Sequence, residues 1–215
     1  ESHAQVLMLM QQLKEAHIVG ISDLIPSYAS LLIEYDPTRL HYRKLTRILN
    51  HACRYRTRRI SARTTRLFHI PVCYEGECAP DMAHVAAFHN LTPDEVIRRH
   101  TGRDYDIYML GFLPGFAYLG ELDETLDTPR LTTPRKVIPA GSVGIGGHQT
   151  GIYPLTSPGG WQLIGRTPVA VWDSKREDPV LYKAGDKIRF EAIDFVTYKE
   201  YLLHPENVVR VEVLP

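Results

Sequence analysis

Residues 130–166 gather polar side chains in a segment that is otherwise apolar and stiff: Arg130, Arg135, Ser142, His148, Gln149, Thr150, Tyr153, Ser157 and Arg166. A guanidinium offers a planar fork of donors that suits a carboxylate or phosphate, so Arg135 and Arg166 are natural anion clamps. Each could equally pair with a carboxylate of the chain, such as Asp123, Asp127 or Asp173. Together with Ser142, His148, Gln149, Thr150 and Tyr153 they have the make-up of a small-molecule pocket, in which a few polar groups stand among apolar and aromatic walls. Phe112, Phe116, Tyr118 and Trp161 read first as core.

Familiar catalytic motifs do not fit this segment. Ser142 lies between Ala140-Gly141 and Val143-Gly144, superficially a nucleophile elbow, but an elbow needs a strand-to-helix turn and the residues that follow are glycines and Tyr153-Pro154. No Gly-Lys-Ser/Thr follows the glycines, and Gly144-Ile145-Gly146 lacks the third glycine and βαβ setting of a dinucleotide fingerprint. A complete nucleotide site in this chain is therefore not expected. His69, Cys73, Cys78, His84 and His89 crowd together, yet their spacing contains neither a CxxC pair nor an HxxxH with a carboxylate, so no metal site is expected.

The segment that carries these groups, residues 111–168, holds 11 of the 15 glycines and 7 of the 15 prolines, and residues 137–165 contain no Asp, Glu, Lys or Arg. Glycine permits positive φ or close approach and proline fixes φ, so the path is contorted but rigid. An uncharged run of this kind is either buried or in contact with something. If it is partly an interface, Phe112, Ile145 and Trp161 are the expected partner contacts, because interface centres favour rigid apolar and aromatic surface.

Around it, the chain changes texture. Val6, Leu9, Met10, Leu13 and Ala16 repeat at helical spacing, residues 18–25 and 29–35 read as two strands joined at Pro26-Ser27, and Asp36-Pro37 reads as an N-cap with proline at the first helical position. That helix would bury Leu40, Leu45, Ile48 and Leu49, and a strand at residues 67–74 follows. The order helix, strand, strand, helix, strand is a split βαβ, ferredoxin-like arrangement without its first strand. Helices are then expected at residues 81–89 and after Thr92-Pro93-Asp94-Glu95, a capping box ending near Gly102. Short strands at 105–109, 143–145, 161–164, 169–172 and 187–192 suggest a small barrel. A helix containing Phe195, Tyr198, Tyr201 and Leu202 leads to a strand at 208–213. The expected division is residues 1–80 and 81–215.

Lys plus Arg equals Asp plus Glu, 25 each, which gives no electrostatic case for nucleic acid or an anionic membrane. The one basic cluster, Arg54, Arg56, Arg58, Arg59, Arg63 and Arg66, sits in no recognised nucleic-acid motif. Three cysteines, Cys53, Cys73 and Cys78, without a signal pattern or an apolar run of spanning length, point to reduced thiols in a cytoplasmic protein.

The strings GFLPGFAYLG, IPAGSVGIGGHQTGIYP, SPGGWQLIGRTP and AGDKIRF resemble the family of allophanate hydrolase subunit 1, the 5-oxoprolinase subunit PxpB and the sporulation kinase inhibitor KipI, over residues 20–192. The resemblance implies an N-terminal α/β domain followed by a cyclophilin-like β-barrel, an α+β chain that is a component rather than a self-sufficient enzyme. It implies a subunit of an ATP-dependent 5-oxoprolinase that opens 5-oxoproline to glutamate with a PxpC-like cyclophilin-fold subunit and a PxpA-like LamB/YcsF subunit, the ATP being handled by the assembled complex. Two alternatives remain open: a module that binds and inhibits a sensor histidine kinase, and half of a urea- or allophanate-type carboxyltransferase, although no biotin-attachment segment is present. Ala117 stands where the family commonly has proline, His148 where a smaller or different residue is usual, and the chain starts inside the first helix.

Overall fold

The spacing of Val6, Met10 and Leu13 puts all three on the buried face of the first helix, α1 (Ser2–Glu15). The computed structural model describes residues 2–54, 64–205 and 208–214. Met10 and Leu13 pack with Leu24 of β1 (Ile21–Pro26), which pairs antiparallel with β2 (Leu31–Tyr35), and Ile48 and Leu49 of α2 (Tyr42–Arg54) close this small core. Asp36 does not start α2 as expected. Its carboxylate accepts from the Thr38 amide and hydroxyl at 2.9 and 2.6 Å, and its carbonyl accepts from Leu40, which makes a closed turn ahead of a helix that begins only at Tyr42. Leu40 is buried in that turn against Gly20, whose φ of +103° no side chain would share easily.

The remainder forms a second unit, Thr65–Leu214. Its strands and helices in order are β3 (Thr65–Cys73), α3 (Met82–Phe88), α4 (Pro93–Thr101), β4 (Asp104–Leu110), β5 (Ala117–Leu119), β6 (Arg135–Ile138), β7 (Ser142–Gly146), β8 (Gln149–Ile152), β9 (Ser157–Gly159), β10 (Gln162–Arg166), β11 (Lys187–Ile193), α5 (Phe195–Leu203) and β12 (Arg210–Leu214). Seven strands close a barrel in the order β3, β11, β4, β5, β8, β7, β10, with β10 returning to β3 at Arg166 and Cys73. β12 lies beside the first half of β3, from Thr65 to His69, as the C-terminal returning strand expected from the sequence. β6 and β9 pair as a separate ribbon.

Strand alternation fills the interior. Phe68, Ile70 and Val72 of β3, Ile188 and Phe190 of β11, Tyr105 and Ile107 of β4, Val143 and Ile145 of β7, Ile152 of β8 and Ile164 of β10 form one core with Met82, Val85 and Val96 of α3 and α4. α4 starts as its sequence dictates: the Thr92 hydroxyl accepts from the Glu95 amide, Pro93 occupies the first turn, and Glu95 pairs with Arg98 and Arg99.

Two further sequence expectations are corrected. The strand expected to complete the N-terminal split βαβ instead lies in the barrel, so the units divide between Thr64 and Thr65 rather than after residue 80. The reason is its burial: residues 67–73 are buried throughout, and β3 is parallel to β11, 120 residues later in the chain, along Leu67–Cys73. Residues 169–172 form no strand, only an isolated bridge between Trp172 and Val180. Of the arginine cluster, Arg56, Arg58, Arg59 and Arg63 lie outside the described residues, while Arg66 pairs with Asp186 at 2.6 Å. No helix of the described residues is long and apolar enough to cross a membrane.

One polar chain crosses the apolar core. The Thr150 hydroxyl donates to the Gly144 carbonyl at 3.1 Å, so it must accept from His100 Nε2–H at 2.8 Å, which leaves His100 Nδ1 to accept from the Tyr74 hydroxyl at 2.8 Å. His100 is fully buried and stacked on Phe190, and burial lowers its pKa to about 3. The unfolded value, near 6.5, lies above the folded one, so the unfolded chain binds the extra proton and stability is lost as pH falls from about 6.5 toward 3. Urea midpoints measured from pH 7 to 5 should therefore fall with acidification, by up to about 1.4 kcal/mol per pH unit from this group. His100→Gln should flatten that dependence, and an unchanged slope in the variant would assign the acid sensitivity elsewhere.

Candidate functional site

The outer surface of β7, β8 and β10 carries a second, smaller cluster made of Phe116, Ile138, Tyr153, Trp161 and Leu163, with Leu113 and Tyr118 against it. Its existence follows from the same alternation that fills the barrel. Val143 and Ile145 point in, so Gly144 and Gly146 face out, and Gly151 does the same on β8. A Cβ on Gly146 would sit 2.5 Å from the Trp161 indole nitrogen, and one on Gly151 would lie 3.2 Å from the far edge of the ring. The indole therefore rests on bare backbone. A Cβ at Gly159 would likewise lie 2.5 Å from the Tyr153 hydroxyl.

Phe116 is the centre of the cluster, edge-to-face with Trp161 and Tyr153 at 5.4 Å each, with Tyr118 at 5.0 Å and with Phe112 at 5.6 Å. Phe112 sits in the tight β4–β5 loop with φ +66°, and its ring is 61% exposed. A bulky residue held in the left-handed region and turned to solvent is the kind of strain that accompanies binding sites. Arg130 stacks its guanidinium over the Trp161 ring at 5.7 Å and makes no ion pair among the described residues. Burial raises the Tyr153 pKa, against the Trp161 backbone N–H that donates to its oxygen and the charges of Arg130 and Arg135, so the phenol stays protonated at neutral pH. What results is an aromatic shelf, exposed at Phe112, with one unpaired cation at its rim.

The structure separates the residues grouped by sequence. Tyr153 and Trp161 are in the cluster. Arg135 is close by but engaged: it pairs with Asp81 at 2.7 Å, while the other Asp81 oxygen accepts from the Leu163 amide at 2.6 Å. This partner lies 54 positions upstream and is none of the three expected aspartates. Thr150 is inside the barrel in the His100 chain. Ser142 is buried at the start of β7, opposite Arg166. Arg166 donates from Nε to the Ala140 carbonyl at 3.0 Å. It stands five residues along the strand from Trp161, about 16 Å at the usual rise, which is too far for one small molecule to span both. His148, in the β7–β8 turn, is exposed and 3.0 Å from Asp127, and Gln149 follows it. Two of the expected partner contacts are corrected: Ile145 is fully buried in the barrel and Trp161 is 4% exposed beneath Arg130, so neither side chain is open to a partner, whereas Phe112 is exposed. Arg130, Phe116 and Tyr118 carry the shelf although they stood outside the residues singled out as binding. Among the described residues, no three or more His, Cys, Asp or Glu side chains are placed to hold a metal ion.

Residues 1–182 match the family described as "Carboxyltransferase domain, subdomain C and D". The chain belongs to that family. It is 41% identical over 201 residues to the B component of the 5-oxoprolinase of Bacillus subtilis, covering 87% of this chain and 83% of the relative. The crystal structure of TTHA0988 superposes with a TM-score of 0.78 at 40% identity over 90% of this chain, which spans only 37% of that longer one. The Kluyveromyces lactis urea carboxylase structure, at 21% identity and a TM-score of 0.76, shares the fold over 99% of this chain and contains it as 22% of its own length. The carboxyltransferase-type barrel thus occurs both in relatives of this chain's size and within much longer polypeptides.

Gly146→Ala tests the glycine bed. The added methyl cannot avoid the indole without displacing it from Phe116, and overpacking of this kind costs about 1–3 kcal/mol. A urea midpoint equal to that of the unmodified chain would show that Trp161 is free to move.

Proposed function

We propose that the chain is a PxpB-like component of an ATP-dependent 5-oxoprolinase, which hydrolyses the lactam of 5-oxoproline to L-glutamate. The observation that carries this reading is the 41% identity across 83% of a 5-oxoprolinase B component. The geometry supports it in two ways. 5-Oxoproline is a small ring bearing a carboxylate, and the exposed Phe112 ring and half-buried Tyr118, held from behind by the buried Phe116 and Trp161, with Arg130 at the rim, offer an apolar face for a ring and a charge for a carboxylate. The chain also carries no phosphate loop or dinucleotide fingerprint, so in this proposal the nucleotide is handled by other subunits, a PxpC-like cyclophilin-fold protein and a PxpA-like LamB/YcsF protein. The setting proposed is the cytoplasm.

Opening an unactivated lactam requires activation of the carbonyl, stabilisation of the oxyanion and protonation of the leaving nitrogen. Exposed Arg130 is a donor suited to holding the substrate carboxylate, and in this proposal the remaining groups come from the partners. The chain alone is therefore expected to release no glutamate from 5-oxoproline, whereas mixing it with PxpA- and PxpC-like partners and ATP should. Glutamate formation by the isolated chain, or inertness of the full mixture combined with tight binding to a sensor histidine kinase, would defeat the assignment.

Within the active mixture, Arg130→Ala should raise KM for 5-oxoproline about 10-fold or more, since a hydrogen bond to a charged group contributes about 1.5–3 kcal/mol. An unchanged KM with intact turnover would leave the subunit role standing and remove Arg130 from the site.

A further inference from the structure

Two thiols lie together on the outer side of β3, at the opposite end of β10 from the aromatic shelf. Cys73 closes β3 and Cys78 closes the short 3-10 turn Gly76–Cys78; both are free, both are buried, at 0% and 3% exposure, and they form one cluster with Tyr198 of α5. The Cys73 thiol lies close enough to Cys78 to act on its ionisation. The third cysteine, Cys53, is exposed and belongs to the other unit. Burial of two adjacent thiols is common core chemistry when each packs among apolar neighbours. Here they contact one another, on a five-residue separation, in a loop whose Glu75 carboxylate accepts from the Phe195 amide at the start of α5. The turn between them is permissive: Gly76 has φ +50° and open space around it.

We propose that Cys73 and Cys78 are a redox modification site that closes to an intramolecular disulfide under peroxide. Hydrogen peroxide oxidises the outer thiol, Cys78, to a sulfenic acid, the O–O bond breaking and one oxygen leaving as water. The Cys73 sulfur then attacks the sulfenic sulfur, the S–S bond forms, and the second oxygen leaves as water. In sum, two thiols and one peroxide give one disulfide and two waters, and a thiol reductant returns the pair to its starting state.

The surroundings set the rate. Burial first, and then the neighbouring Cys73 thiol, push Cys78 up to about 12, while the Arg166 charge works in the opposite direction. Cys78 therefore stays protonated and slow to react while Tyr198 covers the pair, and oxidation reports on lifting of α5 from β3. This distinguishes it from Cys53, which any oxidant reaches directly.

Tryptic mapping of the unmodified chain after peroxide treatment tests the proposal without any variant. Residues 67–98 contain no internal Lys or Arg and carry both cysteines, while Cys53 falls in residues 48–54. The expected result is a 67–98 peptide that loses two hydrogens at its cysteines, more slowly than residues 48–54 are oxidised, and regains them with dithiothreitol. Oxygen adducts on Cys73 or Cys78 without hydrogen loss, a cross-link from either to Cys53, or a 67–98 peptide that keeps both thiols through peroxide exposure continued about ten times longer than residues 48–54 need for full oxidation would each overturn it.

Discussion

The wall made by β7, β8 and β10 is buried on both faces, and that constraint shapes much of the second unit. Its inner face must fill a barrel, so Val143, Ile145, Ile152 and Ile164 alternate inward. Its outer face must accept a flat indole and a phenol, and only glycine lets them approach, so Gly144, Gly146 and Gly151 occupy the outward positions. With the indole seated, Phe116 packs against its edge, Tyr153 lies under Gly159, and the β6–β9 ribbon closes over the cluster through Ile138. Dispersion across such contacts is individually small, but it accumulates when no gap remains on either side of the wall.

A filled interior excludes one function for the barrel. The space that a larger barrel would offer a ligand is occupied here by Phe68, Tyr105, Phe190 and the stacked His100. The one polar line through that interior is satisfied at every link and kept neutral by burial, which fits a registry device joining β3, α4, β8 and β7 rather than a catalytic relay. Chemistry toward a ligand is thereby confined to the outer face and its rim.

Much of this was legible in the sequence, and the part that was not has a common cause. Local signals held in the main: the Thr92 N-cap with Pro93 behind it and the helical repeat of α1 match, and the barrel-like spacing after residue 100 matches except at residues 169–172, while the Glu95 half of the expected capping box is taken by Arg98 and Arg99. The alternation of Val143 and Ile145 with glycine also carries the inner and outer faces, and of the two readings left open for the uncharged run the structure shows burial on both sides. Long-range pairing was not legible. β3 follows α2 in sequence and so reads as its partner strand, yet its full burial demands β11, a strand far downstream. Arg135 reads as a free clamp until Asp81 is folded onto it from far upstream. Nothing local encodes either partner.

Charge placement separates structural from available groups. Arg66, Lys187 and Arg189 are tied to Asp186, Asp106 and Asp104 along neighbouring strands, and Arg135 to Asp81. Arg130 is held instead by an aromatic face, which fixes its plane without neutralising it. A cation so placed remains able to attract an anion, while the nearby phenol of Tyr153 is buried and kept protonated by that burial. The shelf thus presents an exposed ring at Phe112 and an exposed cation at Arg130. In the role proposed above, the groups that open the lactam would be brought to this face by partner subunits.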